Sequence, residues 1–210
     1  MPDPAEAARE QESVRKLRPG DRDAVIAALA LAFYDDPAFS FLLPNDERRL
    51  RQLEGLFGVL GDRVWLPHGE TYTTDGAVGG CFWVPPGEWH VSILEQAKLM
   101  PGTIRGVGFR DMPGLLRSLA LMESNHPRER HVYLPAIGVA PEWQGKGIGT
   151  ALLRPMLERC DREGLPAYLE ASSERNRACY ERNGFVARDA LQLPGGGPPL
   201  WPMWRDPSSA

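Results

Sequence analysis

The sequence predicts one α/β domain, in which a mixed, twisted sheet of about six to seven strands is flanked by helices. Three observations lead to this prediction. Hydrophobic residues make up 42% and charged residues 25% of the 210 residues, which is typical of a folded globular chain. Strand-like and helix-like patterns alternate along the chain, which favours a mixed fold. The most regular segment, residues 131–172, has the pattern of a strand, a glycine-rich turn, a helix and a second strand.

The first half of the domain is expected to contain a short strand, two helices and a hairpin. The strand lies near Val14, and apolar residues at helical spacing predict a first helix over 24–33. Because proline disfavours helix at the residue before it, this helix must end near Pro37. A second helix should begin near Asn45. Alternating residues on both sides of a turn predict a hairpin over 69–84.

The remaining segments differ in how clearly they can be read. Residues 85–126 are rich in proline and glycine but contain apolar helical fragments, so we expect a helical insertion that shapes a binding cleft. Residue 131 begins a strand that leads through the glycine-rich turn to a helix over about 147–164. After the strand at 167–172, we expect a short helix closed by Gly184, then a strand FVARDALQL and a last strand LWPMW.

Charge and terminal composition limit the possible partners and location. The net charge of -4 gives no general attraction to nucleic acid or to an anionic membrane. Residues 1–12 are polar and lack the apolar core of a signal peptide, so we expect a disordered leader, a domain over 13–206 and a cytoplasmic location. The three cysteines have no metal-ligand spacing, and no metal is expected. The C-terminal tryptophans 201 and 204 leave a monomer or a homodimer open.

The turn Gln144-Gly145-Lys146-Gly147-Ile148-Gly149 is the strongest functional signal. Unpaired amides at a helix start, together with the helix dipole, bind phosphate groups, and glycine lets an anion approach the backbone. Neither the P-loop spacing nor the dinucleotide fingerprint fits, because Gly147 follows Lys146 and the glycines alternate. Taken alone, the turn could equally be a simple connector.

The flanking residues resemble the GNAT superfamily of N-acetyltransferases. IGVAPEWQGKGIGTALL resembles its motif A through Val139, Pro141, Gln144, Gly145, Gly147, Ile148, Gly149, Leu152 and Leu153. ASSERNRACYERNGF resembles its motif B through Asn176, Tyr180, Gly184 and Phe185. The resemblance covers residues 131–187. Within the superfamily, FYDDPAFSFLLP, the motif A segment and LPAYLEASSERNRACYERNGF look most like the puromycin N-acetyltransferase-like group.

The resemblance implies acetyl-CoA as cosubstrate and a set of residues that hold it. The backbone of Ile137, Gly138 and Val139 would pair with the pantetheine arm. The amides from Gln144 to Thr150 would hold the pyrophosphate, with Lys146 near the adenosine phosphates. Asn176 would contact the cofactor arm, and Tyr180 would protonate the departing thiolate.

A general base must accept a proton from the amine, and several residues could do so. Strand alternation places Glu170 on the same face as Tyr168, near the point where the sheet of this family opens. Glu123 and His131 lie near the other side of that opening, and a water chain without a single base is the further alternative. The resemblance places the substrate near Asp35, Asp36 and Phe39, although Asp-Asp-Pro could equally serve only as a helix stop. Phe33 and His131 are further substrate candidates, and Trp83, at the end of the hairpin, could line the cleft.

The expected activity is direct acetyl transfer to a primary amine in a ternary complex. The acceptor is either a small amine or antibiotic, or a protein lysine or N-terminus. Two other readings stay open: an idle acyl-CoA-binding sensor or interaction module, and a nucleotide-dependent enzyme. Turnover of acetyl-CoA would distinguish the first, and binding of ATP or NAD would distinguish the second.

Overall fold

A computed structural model describes residues 13–208, and the expected leader at 1–12 lies outside this part. The described residues form one eight-stranded sheet and seven α-helices. The strands are β1 Val14–Lys16, β2 Thr71–Thr74, β3 Gly79–Val84, β4 Val132–Val139, β5 Ala167–Ala171, β6 Val186–Ala187, β7 Leu191–Gln192 and β8 Pro199–Arg205. The helices are α1 Arg22–Ala32, α2 Pro37–Leu42, α3 Asp46–Leu60, α4 Ile93–Val107, α5 Met112–Asn125, α6 Ile148–Glu163 and α7 Glu174–Glu181.

The strands are ordered β1-β2-β3-β4-β5-β8-β6, and β7 pairs with β8 off this path. Every pairing is antiparallel except β4 with β5, as expected for two strands joined by a crossover helix. The predicted mixed sheet with flanking helices is therefore confirmed.

Strands β4 and β5 pair over only three residues of each strand and then part. The last paired residues are Leu134 and Leu169. Between Tyr133 and Ala136, β4 carries one more residue than the facing stretch of β3, which is a β-bulge. Pro135 lies in this bulge and has no N–H to give to a neighbouring strand. The bulge and the proline together explain why the ladder ends there and a gap opens in the sheet.

Two hydrophobic cores lie on opposite faces of the sheet. Side chains of β3 alternate between them: Cys81 and Trp83 pack toward α6, whereas Phe82 and Val84 pack toward α1 and α3. Helix α4 lies directly against α3, and glycines at the crossing let the two backbones approach closely. A Cβ added to Gly55 would stand only 2.6 Å from the Cα of Gly106. This close crossing fixes part of the 85–126 segment beside the gap between β4 and β5.

The structure differs from the prediction at the C-terminal end. The segment FVARDALQL was expected to be one strand, but it forms β6 and β7, which pair with different ends of β8. Pro202 lies between these two pairings and cannot donate a ladder hydrogen bond. The split raises the strand number to eight instead of the six or seven predicted. Within residues 13–208, none of the helices has the length and apolar content to cross a bilayer.

Candidate active site

A cavity of about 410 Å³ lies at the gap between β4 and β5. Helices α2 to α5 contribute one wall, together with Phe33 just after α1, and β4, β5 and α7 contribute the other. The cavity brings together seven residues selected from the sequence, namely Phe33, Phe39, Glu123, Ile137, Glu170, Asn176 and Tyr180. It does not bring in Asp35, Asp36, Trp83 or His131.

Glu170 is the most deeply enclosed carboxylate in the cavity lining. Alternation along β5 directs Ala167, Leu169 and Ala171 into the core beside α6, so Glu170 points to the opposite face. Its side chain is 3% exposed. Oε2 accepts a hydrogen bond from the Tyr133 hydroxyl at 2.9 Å. Burial raises the pKa of Glu170 to about 7, although the hydroxyls of Tyr133 and, less strongly, Tyr168 oppose that shift. This pKa suits a group that exchanges protons near neutral pH.

The protonation states of His126 and His131 determine which kind of atom faces the second carboxylate oxygen of Glu170, Oε1. The Nδ1 atom of His131 lies 2.6 Å from the carbonyl oxygen of Glu129, which can only accept, so this Nδ1 carries the proton. The Nε2 atom of neutral His131 then accepts from Nε2 of His126 at 3.0 Å. Neutral His126 is left with an unprotonated Nδ1, which lies 3.9 Å from Oε1 of Glu170.

Both histidines are held in the neutral form. Burial lowers the pKa of His126 to about 3, and burial also lowers the pKa of His131. Oε1 of Glu170 is buried and has no hydrogen-bond partner within residues 13–208. Ionised Glu170 therefore faces a lone pair on this side, which works in the same direction as burial and favours the protonated carboxyl.

The other two candidate bases are placed less favourably. Glu123 lies in the cavity lining, but it is 46% exposed and its Oε1 is 3.0 Å from Nδ1 of His90. His131 is 1% exposed and lies behind His126. Of these candidates, Glu170 alone combines a free buried oxygen with a position on the cavity.

Helix α7 carries Asn176 and Tyr180 on one face, because residues four apart lie one above the other. Ser173 caps this helix by accepting from the N–H of Asn176 at 3.2 Å. The Tyr180 ring packs edge-on against Phe185, with 6.0 Å between ring centres. Burial raises the pKa of its phenol, so the hydroxyl keeps its proton at neutral pH. Asn176 donates to the Ser172 hydroxyl at 3.4 Å.

The two aspartates expected near the substrate lie elsewhere. Asp36 is the N-cap of α2, where its carboxylate accepts from the N–H groups of Ala38 at 3.0 Å and Phe39 at 3.3 Å. It also accepts from the Ser172 hydroxyl, which ties α2 to the end of β5. Asp35 is exposed outside the cavity lining. Asp36 therefore has a capping role, and contact of either carboxylate with the substrate stays a prediction.

The prediction that Trp83 lines the cleft is wrong. Its side chain is 0% exposed and belongs to the core beside α6. The preceding and following residues of β3 point toward the cavity side instead, and Val84 is in the lining. The position of Trp83 at the end of the hairpin does not predict which face of the sheet its side chain takes, because both faces of the sheet are covered.

The glycine-rich turn begins α6 and leaves its backbone open. Gly145 and Gly147 have positive φ of 78° and 83°, and Gly147 is the N-cap of α6. A Cβ added at Gly145, Gly147 or Gly149 would meet no atom within 4 Å, so the space above the turn is free. The Gln144 side chain donates to the carbonyl of Val139 at 2.9 Å, which joins the turn to β4. Lys146 extends over the Trp143 ring, with Nζ 4.3 Å from its centre.

The edge of β4 beside the gap carries unpaired backbone groups. The N–H of Ala140 donates to the carbonyl of Val78 on the β3 side at 2.9 Å. Since successive residues of a strand alternate, the N–H groups of Val139 and Ile137 face the opposite edge. Gly138 pairs with Gly80 of β3. The open edge can therefore accept an extended arm as an additional strand.

Comparison with known proteins identifies the class. A model of the acetyltransferase (GNAT) family matches residues 81–185, which is half of the chain. The chain belongs to the GNAT family, and it is an acyl-CoA-dependent acetyltransferase. An uncharacterized N-acetyltransferase of Schizosaccharomyces pombe is 26% identical over 210 residues, covering 94% of this chain and 84% of that protein. Mycothiol acetyltransferase of Streptomyces coelicolor is 36% identical over 67 residues, covering 30% of this chain and 22% of that protein.

Solved structures agree on the fold. A histone acetyltransferase and related acetyltransferase from Corynebacterium glutamicum matches with a TM-score of 0.70 and 24% identity, over 94% of this chain and 97% of that one. An agmatine N-acetyltransferase matches with a TM-score of 0.63 and 15% identity, over 92% and 98% of the two chains. At these identities the likeness supports the fold alone.

Tyr133 and His126 belong to the site, although the sequence pattern marks neither of them as a functional residue. Tyr133 faces Glu170 because β4 and β5 pair in one register, and that register is not visible in either strand taken alone. His126 stacks on Trp89, with 3.8 Å between ring centres. His126 and Trp89 both come from the 85–126 segment, where only fragments of a helical pattern can be recognised. In the described part of the chain, no group of three or more His, Cys, Asp or Glu residues is arranged to hold a metal.

Proposed function

We propose that this protein transfers the acetyl group of acetyl-CoA to a primary amine by direct attack in a ternary complex. The observation that carries the proposal is the shared cavity of Glu170 and Tyr180, which lies where β4 and β5 part. A proton acceptor and a proton donor on one cavity are what amine acylation requires. The narrower likeness to the puromycin N-acetyltransferase-like group stays a prediction, as do a cytoplasmic location and a monomeric or homodimeric state.

The residues around the gap fit acetyl-CoA, which supplies an acetyl group already activated as a thioester. The amides from Gly145 to Thr150 at the start of α6 would hold the pyrophosphate against the helix dipole. The expected contribution of the Gln144 amide is not supported, because this N–H already donates to the carbonyl of Pro141 at 3.2 Å. The open edge of β4 at Ile137 to Val139 would pair with the pantetheine arm. Asn176 would contact the same arm from α7, and Lys146 would lie near the adenosine phosphates.

Each residue has one task in the transfer. Glu170 accepts a proton from the ammonium group, directly or through water, which frees the nitrogen lone pair. The N–H of Val139 polarises the thioester carbonyl. As the new C–N bond forms and the C–S bond breaks, Tyr180 donates its proton to the departing thiolate, and the second proton of the amine nitrogen passes to the Tyr180 phenolate, directly or through water. Tyr180 is thereby restored, and protonated Glu170 returns to its starting state by releasing its proton to solvent.

The positions of the cysteines favour direct transfer over an acyl-enzyme. None of Cys81, Cys160 and Cys179, all within the described residues, lies in the cavity lining. Burial raises the pKa of Cys81 and raises that of Cys160 to about 11, so these thiols are poor nucleophiles. Initial rates measured over a grid of both substrates test this point. Intersecting double-reciprocal lines are expected, and parallel lines would indicate an acyl-enzyme instead.

A small acceptor is favoured over a protein. Helices α4 and α5, both within 85–126, contribute to the cavity wall and cover the gap where an open groove for a peptide would need to lie. Met100 of α4 and Leu115 of α5 are among the lining side chains. A peptide would have to displace this wall to bring a lysine to Glu170. The acceptor side of the proposal is therefore a free primary amine.

Replacing Tyr180 by Phe is expected to lower kcat about 100-fold while leaving acetyl-CoA affinity nearly unchanged. The substitution removes the proton donor but keeps the ring that packs on Phe185. Steady-state rates and calorimetric titration check the two parts. Tyr34→Phe is the matched control, because its hydroxyl donates only to the carbonyl of Asp46. Full activity of the Tyr180 variant would move the acid role to another group.

Replacing Tyr133 by Phe is expected to move the pH dependence of the rate upward. The Tyr133 hydroxyl donates to Glu170 and favours its ionised form, so its removal raises the pKa of Glu170 further. The rate should fall roughly tenfold at pH 7 and recover at higher pH. A pH–rate profile is the measurement. A loss that is the same at every pH would mean that Tyr133 acts only through packing.

A further inference from the structure

The helical wall of the cavity is the part whose chemistry the acetyl transfer does not explain. We define the helical wall as the lining residues within 33–122. It is dominated by large apolar side chains, among them Phe33, Phe39, Phe57, Trp65, Met112 and Leu115. Four of the rings form one cluster, in which Phe57 lies 5.3 Å from Phe33, 5.5 Å from Phe39 and 6.2 Å from Trp65 between centres.

Three polar side chains of this wall already use their hydrogen-bond donors within the wall. The hydroxyl of Thr103 donates to the carbonyl of Leu99, and that of Ser118 donates to the carbonyl of Gly114. The Gln96 amide donates to the carbonyl of Val91. These bonds are all within or beside α4 and α5. These groups can offer a second polar group only a few acceptor oxygens among apolar side chains, so such a group would lose more hydrogen bonding to water than it regains here.

The charges on the cavity are also one-sided. Among the described residues that line it, the carboxylates are Glu123 and Glu170, and there is no lysine or arginine. Glu123 already lies 3.0 Å from His90. Glu170 is thus the buried carboxylate that can face an amine inside the cavity, and an acceptor that carries its own carboxylate or phosphate would find no lysine or arginine in the lining.

We infer that the acceptor is a small monoamine with an apolar body, such as an alkyl or aryl-alkyl chain, whose amino group reaches Glu170 while the body packs on the helical wall. This inference rests on the proposed function and specifies its substrate class. Leu116 and Leu119 extend the apolar surface outward, since both line the cavity and are 43% and 44% exposed.

A homologous series of straight-chain amines from propylamine to hexylamine, with phenethylamine, tests the inference. The amino group is chemically almost the same throughout this series, so differences in kcat/KM report how the apolar body of the amine binds. We expect kcat/KM to rise about three- to fourfold per added methylene. 1,6-Diaminohexane should be acetylated roughly 100-fold less efficiently than hexylamine, because its second ammonium must lose water against the apolar wall.

The possible results distinguish a wrong acceptor class from a wrong proposed function. A flat series, or a diamine preferred over hexylamine, would overturn the inference while amine acetylation stands. Faster transfer from longer acyl-CoAs combined with a flat amine series would also overturn it, because the wall would then hold the acyl chain. Acetyl-CoA binding without transfer to any amine would instead overturn the proposed function.

A pair of matched variants places the acceptor on the wall. Leu116→Asp should lower kcat/KM for hexylamine at least tenfold and reduce the disadvantage of 1,6-diaminohexane. Leu31→Asp is the control, because Leu31 is also a helical leucine, is 39% exposed and lies outside the lining. Equal behaviour of the two variants would contradict contact between the acceptor and this wall.

Discussion

Replacing Gly147 by Asp is expected to reduce acetyl-CoA affinity by a factor of about 100 or more, because a carboxylate would stand where the pyrophosphate binds. Gly147 is the N-cap of α6 and is exposed, and the space above it is free of protein atoms. The added side chain therefore meets the ligand and not the protein. Calorimetric titration with acetyl-CoA measures the loss.

The control must account for backbone strain, because Gly147 has a φ of +83° that aspartate adopts at some cost. Gly196 has a φ of +78°, and a Cβ there also meets nothing within 4 Å. Gly196→Asp should therefore show a similar loss of stability in thermal unfolding but full acetyl-CoA affinity. Unchanged affinity in Gly147→Asp, or an equal loss in both variants, would contradict the placement of the pyrophosphate at this turn.

Replacing Glu170 by Gln is expected to lower kcat/KM by about 10² to 10⁴, the usual contribution of a general base. Glutamine has the same shape but cannot accept the proton. Its carbonyl can still accept from Tyr133, and its amide can donate toward the unprotonated Nδ1 of His126. The variant should therefore fold and bind acetyl-CoA. Glu158→Gln, on the exposed face of α6, is the matched control.

The pH dependence gives the same prediction a second readout. Since burial raises the pKa of Glu170 to about 7, the wild-type rate should rise as pH increases through about 7 and then level off. The Gln variant should lack this inflection. A wild-type profile without an inflection near neutral pH, or a variant that keeps it, would assign the base elsewhere, with Glu123 and a water chain as the remaining candidates.

Stability should change with pH in the opposite direction. The pKa of Glu170 is higher in the folded chain, at about 7, than its ordinary value of 4.5. Between these values the folded state keeps a proton that the unfolded state releases, so this group makes folding less favourable as pH rises from about 4.5 to 7. Glu170→Gln should therefore raise the melting temperature at pH 8 more than at pH 5. An equal effect at both pH values would contradict the raised pKa.

Local patterns were sufficient to predict most of the elements. The predictions of the hairpin over 69–84, the helix capped by Asn45 and the strand-turn-helix unit around Gly147 depend on alternation, capping and glycine placement. These features operate within a few residues of chain. The face of Glu170 followed from alternation along β5 in the same way. These predictions do not depend on which strands pair in the sheet.

The placements that local patterns do not predict have a common physical origin in long-range packing. Trp83 is buried on the α6 side because both faces of the sheet are covered, so neither face of β3 is marked by polar residues. Asp36 stands in a good turn sequence, and its bond to Ser172 joins residues that are far apart in the chain. Tyr133 reaches Glu170 only through the pairing of β4 with β5. Register and strand order decide all three placements.

The measurement that tests the central claim most directly is the stoichiometry of amine-dependent turnover. Purified protein is mixed with acetyl-CoA and a panel of primary amines, with hexylamine as the first member and a lysine-containing peptide included. CoA release is followed with a thiol reagent, and the acetylated amine is quantified by mass spectrometry. The account predicts one N-acetylated product per CoA released and a rate that depends on the amine. Saturable binding of acetyl-CoA with no amine-dependent release would contradict it and identify an acyl-CoA-binding sensor instead.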